Sequence, residues 1–232
     1  MLELPSPLCL LLIIPCGFLI FLFFVARFER RQTRPYVPAS GSQEAATEQY
    51  LLTVTTAMLN HQFQTIALAR QASSMIAVNI SFWMSEDNRS IAMVGAGKVA
   101  GSATAKTSIY TPLADGTYLL TLDNNDAGDL SGLFRTYHYV GVTFDELWAC
   151  HQRRLSKHND ALPWPADASI ETFNDLLQRR TERLVERRRA YWMDADKTAW
   201  RHSSLGAILC CGEFLKQLFA AVTSPRRLAQ GR

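Results

Sequence analysis

The chain has few of the residues that announce a chemistry. Five cysteines occur in 232 residues, at Cys9, Cys16, Cys150, Cys210 and Cys211. No two of them have a C-x-x-C spacing, so neither a disulfide framework nor a zinc site is indicated, and reduced thiols are expected. There is no H-E-x-x-H and no G-x-S-x-G, which leaves no motif for a zinc hydrolase or a nucleophile elbow. Cys150 and His151 are sequence neighbours and point to different sides of a helix, so they do not make a thiol–imidazole pair. Charge of one sign is also scarce: 24 basic against 21 acidic residues give +3, too little to argue for nucleic acid. With 9 Pro and 12 Gly among 48% hydrophobic residues, a disordered or collagen-like chain is excluded.

One long apolar run stands against this background. From Leu4 to Ala26 no residue is charged, and the run is densest from Leu8 to Val25, with Phe18 near its middle. At about 1.5 Å per residue, 8–26 is long enough as a helix for a hydrocarbon core of about 30 Å. The expectation is a short N-terminal tail (1–7) and a retained single-pass transmembrane helix (8–26), a signal-anchor with the lipid bilayer as its partner. A cleaved signal peptide fits less well, since the n-region lacks Lys and Arg and the run ends without a small-x-small site. Arg27, Arg30, Arg31 and Arg34 follow the run and none precedes it. The positive-inside rule then puts the N-terminus outside and the remainder in the cytoplasm, at the cell membrane.

After a basic, Pro- and Ser-containing linker (27–43), helical spacing of Tyr50, Leu51, Val54, Met58 and Leu59 predicts a helix over about 44–61, with Ser40 and Gln43 placed for a capping box. The period then changes to two. Val78, Ile80, Phe82 and Met84 alternate with polar or smaller residues as a half-buried strand does. Ser90 to Val94, Thr65 to Arg70 and Arg135 to Val142 read as further strands. Ser108–Leu113 and Thr117–Leu122 flank Asp115-Gly116, a hairpin signal. Short connections favour an antiparallel β-meander. Thr143 and Glu146 form a capping box before a helix to about Lys157. The reading is an α+β globular domain over 44–158, a sheet flanked by helices. A Pro-rich linker (159–168), an Arg-rich helix (169–192) and an amphipathic helix (203–223) complete a helical C-terminal region.

Regional charge is uneven. Residues 36–150 carry 5 basic and 10 acidic residues, a net of −5; residues 151–232 carry 15 and 9, a net of +6. The basic C-terminal region suits contact with an anionic lipid surface. The alternative is a solvated helix face, with Glu182 and Glu186 as local partners for the arginines. Cys210 and Cys211 are possible acylation positions.

Three motifs are weighed and set aside. Gly95-Ala96-Gly97-Lys98-Val99-Ala100-Gly101 resembles a dinucleotide-binding turn, with Asp115 about 20 residues on, but residues 98–107 are too weak a helix for it. The glycines are better read as a strand end or bulge. Asp123 to Asp129 resembles a calcium loop, yet its fifth and twelfth places hold Ala127 and Phe134. The sequons at Asn79 and Asn88 matter only in a glycosylating lumen. No catalytic, cofactor-binding or metal-ligating residue is therefore assigned. The leading expectation is a non-enzymatic interaction or scaffold module. A second reading is a lipid or small-molecule binding domain, marked by a sizeable apolar cavity beneath the sheet. A third is a tethered enzyme, which needs polar side chains such as Lys106, Tyr137, His138 and Tyr139 to converge in one pocket.

Overall fold

The computed structural model describes residues 7–32, 35–39, 45–72, 76–99, 102–124, 128–165 and 167–223. Helix α1 (Pro7–Phe28) leads through strands β1 (Arg31–Gln32) and β2 (Val37–Pro38) to helix α2 (Ala45–Asn60). Six strands follow: β3 (Gln64–Ala72), β4 (Ile76–Met84), β5 (Ile91–Val99), β6 (Ser102–Pro112), β7 (Tyr118–Leu122) and β8 (Phe134–His138). Helices α3 (Phe144–Leu155) and α4 (Ile170–Glu186), strands β9 (Ala190–Trp192) and β10 (Ala199–His202), and helix α5 (Ser204–Thr223) end the described chain.

Strands β2 to β8 form one seven-stranded sheet in sequence order. The Asp115-Gly116 turn closes the β6–β7 hairpin, with Gly116 at φ +76° and the Leu113 carbonyl accepting from its N–H. The sheet is mixed, and here the antiparallel meander is corrected: β8 pairs with β7 in parallel, from Tyr118↔Phe134 to Leu122↔His138. Residues 123–133 make this possible. They form a connection of about the length a crossover needs, so the chain returns to the start of β7 before running alongside it.

Both faces of the sheet are covered. On one, Trp83, Val94 and Ile109 pack against Met58 of α2 and Phe144 and Leu147 of α3. The Thr143–Glu146 capping box is formed, the Thr143 hydroxyl accepting from the Glu146 N–H and the Glu146 carboxylate from the Thr143 N–H. On the other face, Phe82, Ile80 and Met93 pack against Ile170, Phe173 and Leu176 of α4, with Trp164 alongside. Phe173 is the hub there, its ring 4.3 Å from Phe82 and stacked on Trp164 at 5.5 Å. Such pairs add to the area they bury. The β4 alternation therefore separates two cores, and its Trp83 face is as buried as its Phe82 face. The Ser40–Gln43 capping box lies outside the described residues.

The transmembrane helix expected at 8–26 is also corrected. Leu8, Phe18 and Val25 do lie in α1, but among the described residues no helix is long and apolar enough to cross a membrane. The membrane-anchor reading falls with that finding. The fold accounts for part of the apolar run in another way. α1 packs along α5, with Phe18 and Phe214 ring centroids 6.2 Å apart, and Ala26 is buried. The basic end of α1 is tied to a second, three-stranded antiparallel sheet of order β1-β10-β9. Arg27 donates to the Tyr191 hydroxyl at 2.7 Å, and the Arg31 guanidinium lies over the Trp200 ring. The topology argument from Arg27, Arg30, Arg31 and Arg34 rested on the span; Arg34 itself lies outside the described residues.

Candidate functional site

The face of the sheet turned to α4 is set by strand alternation. On β6, Lys106, Ser108 and Tyr110 share that face. Register places Met93 of β5 beside Ser108, Leu122 of β7 on its other side, and Leu120 between Tyr110 and Thr136 of β8. Opposite them α4 presents Phe173, Leu176, Leu177 and Arg180, one helical stripe at i, i+3, i+4 and i+7. Between the two layers is a cavity of about 170 Å³, with Tyr36 and Asp129 also on its lining. Its lining is mainly apolar by area, and seven polar side chains, two of them tyrosines, reach it.

Two of these carry an unmet demand. Ser108 is 1% exposed, and both its hydroxyl and that of Thr136 are buried with no hydrogen-bond partner among the described residues. A buried polar group left so costs about 1–3 kcal/mol. Sites of this kind are a common mark of a ligand or a bound water.

Asp129 has the opposite character. Its carboxylate, 4% exposed, accepts from the N–H groups of Ser131 (3.1 Å), Leu133 (2.9 Å) and Phe134 (3.0 Å), from the Ser131 hydroxyl (2.6 Å) and from Arg180 Nε (3.2 Å). Burial pushes its pKa up, but the Arg180 charge and these hydrogen bonds prevail and hold it below the usual carboxylate value. Both oxygens are saturated, so Asp129 fixes the β7–β8 connection to α4. That leaves it poorly suited to move a proton. Arg180 spends Nε on this bond and leaves its terminal nitrogens to other acceptors.

Tyr36 is locked from the other side. Its N–H donates to the Asn174 side-chain oxygen at 2.7 Å, and the Asn174 amide donates back to its carbonyl at 3.1 Å. Its hydroxyl donates to the weak acceptor Met93 Sδ, at 3.6 Å. Burial raises the pKa of that hydroxyl, reinforced by Tyr110 and opposed by Arg180, so it stays protonated.

A separate polar network lies on the far face. His151 of α3 is fully buried and stacked on Trp148. Its Nδ1 meets the Thr121 hydroxyl at 2.8 Å, its Nε2 meets that of Thr111 at 2.9 Å, and the Ser90 and Thr111 hydroxyls bond at 2.7 Å. Burial pushes its pKa down to about 3, against a small opposing pull from Asp87. A larger hollow of about 380 Å³ lies between the turn after β4 and the end of α3. It is lined mainly by polar side chains such as Asp87, Arg89 and His158 and has little apolar body.

The four polar residues named from the sequence are divided. Lys106 lines the cavity; Tyr137 and Tyr139 do not line it, and His138 Nδ1 is engaged with the Asn124 carbonyl at 2.9 Å. The Gly95–Val99 part of the glycine motif is a regular stretch of β5 paired on both sides, with no helix opening at it. A Cβ at Gly95 would sit in ordinary contact with Val78, Ile80 and Lys106. Of the calcium-like loop, Asp123 and Asp129 are anchored separately, Asp123 accepting from the Thr107 N–H. Among the described residues no cluster of three His, Cys, Asp or Glu can hold a metal.

Sequence reasoning missed Tyr36, Ser108, Asp129, Thr136 and Arg180. Two signals were available. Arg180 falls on the apolar stripe of its helix, and Asp129-Leu130-Ser131 has the spacing of an Asx turn. No protein-family model matches the chain, and neither a curated protein nor a solved structure is detectably similar to it.

Proposed function

We propose that this protein is a binding module that holds a small molecule between the seven-stranded sheet and α4. The observation that carries the reading is the cavity itself: about 170 Å³, apolar in body, with the unpartnered hydroxyls of Ser108 and Thr136 on its wall. An apolar cavity of about 150 Å³ accepts a benzene ring, so the volume suits a one-ring ligand. Convergent polar groups on a preformed apolar pocket are the usual design of such sites. A catalytic reading is not favoured, because the one carboxylate at the cavity is saturated and the buried His151 belongs to the other face.

The test uses benzyl alcohol as probe on the full chain, followed by methyl NMR. Shifts are expected at Leu120, Leu122, Leu176 and Leu177, with a rise in melting temperature. Ser108→Leu, which fills the space, should abolish those shifts. Unmoved cavity methyls at millimolar probe in the native protein would overturn the reading.

A further inference from the structure

The polar groups on the cavity wall are of two kinds. The charged ones are answered: Asp129 holds its donors, among them Arg180 Nε, the Arg180 side chain is 43% exposed, and Lys106 is engaged within the chain. The Tyr36 hydroxyl donates to Met93 Sδ. Unanswered among the described residues are two neutral hydroxyls, those of Ser108 and Thr136. Register fixes how far apart they stand. Ser108 on β6 is opposite Leu122 on β7, and Thr136 on β8 is opposite Leu120. The two therefore lie two strands apart and two residues out of line, on a diagonal that crosses β7 between its leucines. At about 4.8 Å between strands and about 3.4 Å per residue, that diagonal is roughly 12 Å.

We infer that the cavity takes an uncharged one-ring compound with polar groups at its two para positions, one meeting the Ser108 hydroxyl and the other that of Thr136. This rests on the binding reading above and adds the ligand's charge and substitution pattern. The ring lies along the diagonal, over Leu120 and Leu122 and beneath Phe173 of α4, all three of which line the cavity. In para-hydroxybenzyl alcohol the oxygens are roughly 6.5 Å apart, and a hydrogen bond of about 2.8 Å at each end extends the reach to about 12 Å. The meta and ortho isomers have the same size and polar groups, but a shorter reach that leaves one hydroxyl unmet. A charged group would lose its hydration without gaining a free counter-charge. A cavity of about 170 Å³ is close to the size that accepts benzene and leaves no room for a second ring.

Calorimetric titration of the full chain with para-, meta- and ortho-hydroxybenzyl alcohol tests it, with toluene as the probe that has no polar group. The para isomer is expected to bind about tenfold more tightly than the other two, the gain from one more hydrogen bond to a buried group otherwise unpaired. Ser108→Ala and, independently, Thr136→Val should each bring the para isomer to within about threefold of the others and leave toluene within about twofold. Melting temperatures of both variants show whether each is folded. If the three isomers bind alike, or if either variant keeps the full para preference, the para inference is overturned while the binding module stands. If neither toluene nor any isomer binds, both fall.

Discussion

At the scale of single residues, the fold places polar groups in its two cores on different terms. His151 is satisfied: three hydroxyls surround its ring, and burial holds it neutral by pushing its pKa from 6.5 to about 3. A folded state that resists protonation loses stability wherever the unfolded chain takes up the proton. The contribution is complete above pH 6.5 and declines as pH falls toward 3, by up to about 1.4 kcal/mol per pH unit. His202, with a pKa pushed to about 4 by burial and Arg31, acts in the same direction. Urea midpoints of the native protein should therefore fall between pH 6.5 and 4.5, and His151→Gln should show a shallower slope. Identical slopes would mean that His151 titrates as it does in the unfolded chain. Ser108 is the contrasting case, a buried hydroxyl with no hydrogen-bond partner among the described residues.

At the scale of elements, the connection between β7 and β8 is the one that decides the sheet. The N–H groups of Ser131, Leu133 and Phe134 and the Ser131 hydroxyl converge on Asp129, and Arg180 joins the knot to α4. Asp129→Ala would leave the N–H groups of Ser131, Leu133 and Phe134 without that acceptor, at a cost of about 3 kcal/mol or more. Hydrogen exchange should locate the loss, with amides of Phe134–His138 deprotected before those of β4 and β5. A variant that lost stability evenly across the sheet would show that the knot does not hold β8. The capped start of α3 and the Asp115-Gly116 hairpin are simpler devices. They were readable from the sequence because each is complete within a few residues.

At the scale of the whole molecule, one sheet separates two cores, and Phe173 ties α4 to the one that holds the cavity. Phe173→Ala removes ring contacts with Phe82, Tyr110 and Trp164 and should cost about 3–5 kcal/mol. It should also enlarge the cavity, so a two-ring probe such as naphthalenemethanol would bind the variant better than the native protein if the fold survives. An unchanged urea midpoint would show that α4 is not part of the cooperative unit. The α1–α5 pair contacts the small β1-β10-β9 sheet, so part of the N-terminal apolar run has partners inside the chain, while Ile20, Phe21 and Phe24 stay exposed.

The sequence by itself determined part of the local structure: an α+β chain, strands β3 to β8 by period and turn signals, the hairpin by Asp115-Gly116, and α3 by the Thr143–Glu146 box, while β1, β2, β9 and β10 were not legible and β9 fell inside the expected Arg-rich helix. These are local, set by backbone sterics and by neighbours within about four residues. Tertiary structure decided the rest. Whether an uncharged run is a membrane span or a helix packed on α5 depends on what lies beside it, which hydropathy does not contain. The parallel sense of β8 depends on the 123–133 connection returning the chain to the start of β7, which no local pattern records. The cavity exists only because Tyr36, the β6–β8 face, Asp129 and the α4 stripe meet, and spacing along the chain carries no record of which distant faces will be opposed.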